Sequence, residues 1–186
     1  MTEARLEKPQ RFIEYLRDLL DPEKHRDARG TAAVLRRILA ASDPGDPEDV
    51  RAYQYVEPFV QTESGWHRHA YYLVAGLYAT HPEEDERTLC EALSDIWRRE
   101  GQRDSLELRF RALVGADPDQ LPDRLRRTVL YLRSRGEAFD YARLLADLLD
   151  WSRSDRQVQR RWSREFYGRL QADAEGQPPV QTEVKS

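Results

Sequence analysis

The chain has 186 residues, 39% hydrophobic and 34% charged, with four Trp, nine Tyr and five Phe, enough apolar bulk for one domain or for two small lobes sharing a core. No run reaches the roughly 18–20 apolar residues of a membrane helix. The single cysteine, Cys90, excludes an internal disulfide and a cysteine metal cluster. Residues 1–8 lack the apolar core of a leader, which points to the cytoplasm.

Net charge is −4, but it is unevenly spread. Residues 1–100 carry 14 Lys+Arg against 20 Asp+Glu, residues 101–171 carry 15 against 11, and residues 172–186 carry 1 against 3. The C-terminal half is therefore positive in an acidic protein. Of 30 basic residues 27 are arginine, the side chain suited to phosphate forks and stacking. GC-rich codon usage explains the same ratio, and both readings stand.

Nearly every segment fits helical spacing, and none alternates as a strand does. Pro9 opens a helix to about Leu20, with Phe12, Leu16, Leu19 and Leu20 inward. Asp21-Pro22 stops it, and a second helix runs from about Asp27 to Ala41, burying Ala33, Val34, Ile38 and Leu39 and leaving Arg36 and Arg37 outside. After the turn-rich loop Asp43–Pro47, an acid-started helix runs from Pro47 to about Val60. Trp66 to Thr80 is apolar nearly all round and reads as a central helix. The acidic run Glu83–Glu86 is expected to complement the dipole of a helix starting near Thr88 and carrying Leu89, Leu93, Ile96 and Trp97.

Gly101 ends that helix and marks a lobe boundary. Helices over about 104–114, 118–134, 139–151 and 155–171 follow, with short turns between them. The reading is all-α and two-lobed: an N-terminal helical lobe over 1–100, a C-terminal antiparallel four-helix bundle over 101–171, and a disordered tail over 172–186. In the last helix Val158, Trp162 and Phe166 share an inward face, while Arg153, Arg156, Arg160 and Arg164 form a basic one.

Catalytic chemistry is sparse. His67 and His69 are two apart, unlike a helical zinc pair at spacing four, and read as helix-end or surface histidines. Asp43, Asp46 and Asp49 are interrupted by prolines and do not follow calcium-loop spacing. There is no glycine-rich phosphate loop and no nucleophile elbow, and Cys90 sits among leucines. No catalytic residue, metal site or cofactor is assigned.

The arginines remain. Arg126 and Arg133 stack seven apart on one side of a helix that also carries Arg127. Arg109 and Arg111 precede them. If these converge with Arg156, Arg160 and Arg164 they form a basic track. Each single arginine also has a solvated or ion-paired reading, and Arg143 with Asp147 and Arg161 with Glu165 have the spacing of structural pairs. Tyr53, Tyr55 and Trp66 are aromatics that could stack on bases or fill the core.

Taken together, several ordered segments resemble the CasB family, the small subunit of the type I-E CRISPR Cascade complex. They are Gly30–Arg37, Gly65–Arg68, Tyr72–Pro82, Arg109–Val114, Leu121–Arg127, Asp140–Leu145, Trp151 and Gln159–Tyr167. The resemblance implies an all-helical, two-lobed, non-enzymatic protein. It implies a second copy packed head to tail, beside the Cascade backbone and large subunits. It further implies stabilisation of the crRNA–target DNA R-loop and of the displaced strand through phosphate contacts. By analogy Arg36, Arg37, Arg68, Arg126 and Arg127 face nucleic acid, with Arg156, Arg160 and Arg164 on the more variable last helix. A helical protein-interaction scaffold whose arginines meet acidic partners is the alternative, and an enzyme built on His67 or His69 is a third.

Overall fold

The computed structural model describes residues 2–40, 50–63 and 65–175. Among these the regular structure is helical throughout: α1 (Thr2–Leu19), α2 (Ala28–Arg37), α3 (Tyr53–Val60), α4 (Gly65–Thr80), α5 (Leu89–Arg99), α6 (Asp104–Val114), α7 (Leu121–Ser134), α8 (Tyr141–Leu149) and α9 (Gln157–Glu175). A 3-10 turn over Ile38–Ala40 extends α2, and another over Val50–Ala52 leads into α3. The Asp43–Pro47 loop, Asp49 and the chain beyond Glu175 lie outside the described residues.

Two helix ends differ from the expected ones. Pro9 lies inside α1 rather than at its first turn. The earlier turns are held by Arg5, which reaches the Ala146 carbonyl at 3.0 Å and Asp150 at 2.7 Å, both beyond the proline's local influence. At the other end α9 continues to Glu175, because Ala172 to Glu175 contains no breaker before Gly176.

The acidic run is corrected as well: it does not cap α5. Thr88 does, accepting from the Glu91 amide at 3.1 Å while the Glu91 carboxylate accepts from the Thr88 amide at 2.8 Å. Glu84 instead accepts two hydrogen bonds from Arg17 of α1, at 2.9 and 2.7 Å, and one from Tyr78 of α4 at 2.7 Å.

α4 is the central helix, with every residue from Ala70 to Ala79 buried. It crosses α2 closely at Gly76, where an added Cβ would stand 2.9 Å from Leu39 Cγ and 3.2 Å from the Leu35 carbonyl oxygen. α8 packs on both α1 and α4, and its Tyr141 hydroxyl donates to the His81 carbonyl at 2.9 Å. α5 packs along α9. There Trp97 stacks on Phe166 at 4.9 Å, and Phe110 of α6 stacks on the same ring at 3.9 Å. One cluster of buried apolar side chains thus continues from Phe12 to Phe166.

Buried charge is answered locally. Asp147 of α8 accepts from the Trp162 indole at 2.7 Å and pairs with Arg161 and with Arg5. The expected Arg143–Asp147 pair is superseded by these partners, while Arg161 and Glu165 do approach, at 3.5 Å. Arg87 ties Asp85, Asp95 and Glu137 together, and Arg99 also reaches Glu137.

Candidate nucleic-acid interface

The arginines divide by what their guanidinium meets. A carboxylate partner neutralises the charge; a carbonyl orients it and leaves it in place. Arg68 is of the first kind. It forks onto Glu57, with Nη1 at 3.1 Å from one oxygen, and lies 5.4 Å from the Tyr72 ring centre and 5.9 Å from that of Tyr53. Burial opposes ionisation of Glu57, but hydrogen bonds from Tyr72 and Arg68 outweigh it and lower the carboxyl pKa. Arg127 also meets a carboxylate, Asp123 one turn earlier, at 3.2 and 2.9 Å, though both groups are exposed.

Four others bind carbonyls. Arg36 Nη1 donates to Ala79 near the end of α4 at 3.2 Å. Arg126 Nη1 approaches Leu39, in the 3-10 turn after α2, at 3.4 Å. Arg156 Nη2 donates to Val114, the last residue of α6, at 3.1 Å. Arg109 Nη1 reaches the Arg127 carbonyl at 3.5 Å. The first three sit where helix or turn carbonyls gather at a C-terminal end, so partial negative charge fixes each cation without cancelling it.

These contacts determine which residues share a surface. Arg126 joins α7 to the end of α2, where Arg36 and Arg37 are exposed. Arg109 joins α6 to α7 beside Arg127. Arg126 and Arg127 of α7 thus lie between Arg109 of α6 and the end of α2, which carries Arg36 and Arg37. Arg133 is exposed seven residues beyond Arg126, and its charge is felt at buried His81. Arg156 stands at the foot of α6 with positive φ. Arg160 and Arg164 are exposed on α9, on the face opposite Trp162.

The aromatics singled out from sequence are taken up in packing. Tyr53 packs edge-on against Tyr72, Tyr55 accepts from Thr31 at 3.3 Å, and the Trp66 indole donates to the Leu148 carbonyl. The residue that sequence reasoning missed is Tyr131. Its half-buried ring has the Arg109 guanidinium at 4.9 Å and that of Arg135 at 5.1 Å. A signal for it exists, since Arg127, Tyr131 and Arg135 recur at spacing four along α7 and its C-cap.

The other reactive side chains are engaged elsewhere. His67 contacts Glu63 at 3.1 Å and His69 stacks on Trp66. Cys90 is fully buried, and burial pushes its thiol pKa well up. Among the described residues no group of three or more His, Cys, Asp or Glu is arranged to hold a metal ion. No described helix is long and apolar enough to cross a membrane.

Comparison with known proteins converges. The model of the family CRISPR-associated protein Cse2 matches residues 31–167. A CRISPR-associated protein Cse2 from Thermus thermophilus is 39% identical over 177 residues, covering 92% of this chain and 97% of its own. The crystal structure of M. ruber CasB superposes with a TM-score of 0.76 at 32% identity, covering 92% of this chain and 98% of that one. A chain from a structure described as a CRISPR RNA-guided surveillance complex gives 0.78 at 26% identity, with the same coverage of both. With its all-helical fold and this extent of likeness, the chain belongs to the Cse2 (CasB) family of CRISPR-associated proteins.

Proposed function

We propose that this protein is a non-catalytic small subunit of an RNA-guided Cascade surveillance complex, and that its connected arginines hold the phosphate backbone of the crRNA–target DNA R-loop and of the displaced strand. The observation that carries the reading is the pair of contacts from Arg126 to Leu39 and from Arg109 to Arg127, which bring arginines of α6 and α7 beside the end of α2. Likeness to a surveillance-complex chain supports the assembly, including contact with backbone and large subunits and with a second copy. A subunit serving any target must grip phosphates rather than base edges, because the guide reads the sequence. Arginines fixed by carbonyls suit that task, and no base-reading helix module is required.

The test is the mobility of single-stranded and duplex DNA with the purified protein at low and high salt. Salt-sensitive retardation, lost in a folded Arg126→Glu/Arg127→Glu variant, is expected. In assembled complex the same variant shortens R-loop lifetime. An unchanged lifetime, with partner subunits still bound, would move the arginines to the scaffold reading, in which they meet acidic protein surfaces.

A further inference from the structure

The structure contains two arginine–tyrosine assemblies, and they differ in one respect. At Arg68, near the rings of Tyr53 and Tyr72, Glu57 answers the charge and the side chain is partly buried. At Arg109, over Tyr131, the described hydrogen bond is to a backbone carbonyl, so the cation keeps its charge at the surface. Arg135, against the same ring, is anchored by Glu100. One assembly is closed and the other is open.

The open one is also flanked by apolar side chains. Leu108 and Leu130 are 61% and 41% exposed, and each precedes one member of the stacked pair in sequence. A surface leucine alone means little. Here two exposed leucines are the chain neighbours of an aromatic ring and of an uncancelled guanidinium stacked on it, so apolar, aromatic and cationic groups occur together along α6 and α7. Solvated phosphate contacts need only the cation. The ring and the leucines are suited to a planar, apolar ligand group joined to a negative charge, which describes an unpaired nucleobase on its backbone.

We propose that Arg109, Tyr131 and Arg135, with Leu108 and Leu130 beside them, form a platform on which unpaired bases of a single nucleic-acid strand stack. The platform adjoins Arg127, so a strand whose phosphates follow Arg126 and Arg127 brings its bases within reach of it. This rests on the reading of those arginines as a phosphate track. The base contact is sequence-tolerant, because every base offers a flat face.

The experiment compares two oligonucleotides of equal length and charge, one oligothymidine and one abasic throughout, binding the full-length protein at low salt. The expected result is about tenfold tighter binding of oligothymidine, the scale of one stacked base. Tyr131→Leu removes that difference while leaving affinity for the abasic strand unchanged. Arg109→Gln, on an exposed side chain, narrows the difference independently should the tyrosine variant fail to fold, while weakening both strands alike through the lost cation. Equal affinity for the two strands overturns the platform and leaves the phosphate track standing. Binding of neither strand overturns both. A base preference that survives in both variants, or equal competition by a polyglutamate peptide, also overturns the platform.

Discussion

The Trp162 indole nitrogen donates to the Asp147 carboxylate at 2.7 Å, joining α9 to α8 through a side chain that is only 8% exposed. Arg161 takes the other oxygen and Arg5 approaches at 3.4 Å. Asp147→Ala leaves the buried indole N–H without its acceptor and Arg161 with only the longer contact to Glu165. We expect a loss of about 3 kcal/mol in urea denaturation. Asp147→Asn, which keeps one acceptor oxygen, loses less. A loss below about 1 kcal/mol for the alanine variant would show that water substitutes for the carboxylate.

Gly76 permits the α2–α4 crossing. Gly76→Val drives carbon into the Leu39 side chain and the Leu35 carbonyl, an overpacking cost of about 2 kcal/mol. The thermal midpoint should fall by roughly 6 °C. Leu39 also holds Arg126, so DNA retardation should weaken in the same variant. An unchanged midpoint would mean that α2 slides away without loss.

Arg68→Gln and Arg126→Gln separate structural from binding cations. The first leaves Glu57 with Tyr72 as its remaining hydrogen-bond donor among those described, and should lower stability by about 1 kcal/mol. The second breaks a single long carbonyl contact on an exposed side chain and should leave the melting curve in place while weakening salt-sensitive binding. The reverse pattern, in paired melting and mobility measurements, would contradict the division by partner.

His81 makes stability depend on pH. Its ring is 1% exposed, stacks on Phe139 and has Nδ1 3.2 Å from the Tyr141 hydroxyl. Burial lowers its pKa, the Glu83 carboxylate at 3.3 Å opposes that shift, and Arg133 adds to it. Because the folded pKa lies below the unfolded value of about 6.5, the unfolded chain takes the proton more readily. The contribution is complete above about pH 6.5 and is lost as pH falls below it. Glu84 and Glu57 have lowered pKa values, so their contributions are lost only in more acid solution. Between about pH 7.5 and 5.5 the thermal midpoint should therefore fall in the native chain and stay nearly level in His81→Gln.

Fold class and most helix positions are legible from apolar spacing, because a face such as Val158, Trp162 and Phe166 is a local property of the chain. The α6 limits, 104 to 114, follow directly from it. Helix ends set by distant contacts do not. Arg5 extends α1 by reaching α8, and nothing near Pro9 announces it. Glu83–Glu86 reads as a cap in one dimension because the partners of Glu84, Arg17 and Tyr78, lie on other helices. At the arginine surface, sequence supplies the candidates but not their partners. Arg68 and Arg126 look alike along the chain, and only the fold sets one against Glu57 and the other against a carbonyl.

The packing of α1 on α8 has a consequence for synthesis. Arg5 and Ala146 are separated by 141 positions, yet they are hydrogen-bonded in the finished molecule. At about 5–20 residues per second, a ribosome leaves the first helix waiting on the order of 10 s for the helix that will cover it. Phe12 can meet Phe59 and Tyr71 sooner, but the contacts to Ala146, Asp147 and Asp150 cannot form until α8 has been made. Covering α1 thus waits on residues made more than a hundred positions later, and a chain released before α8 is made would expose that helix to chaperones and proteases.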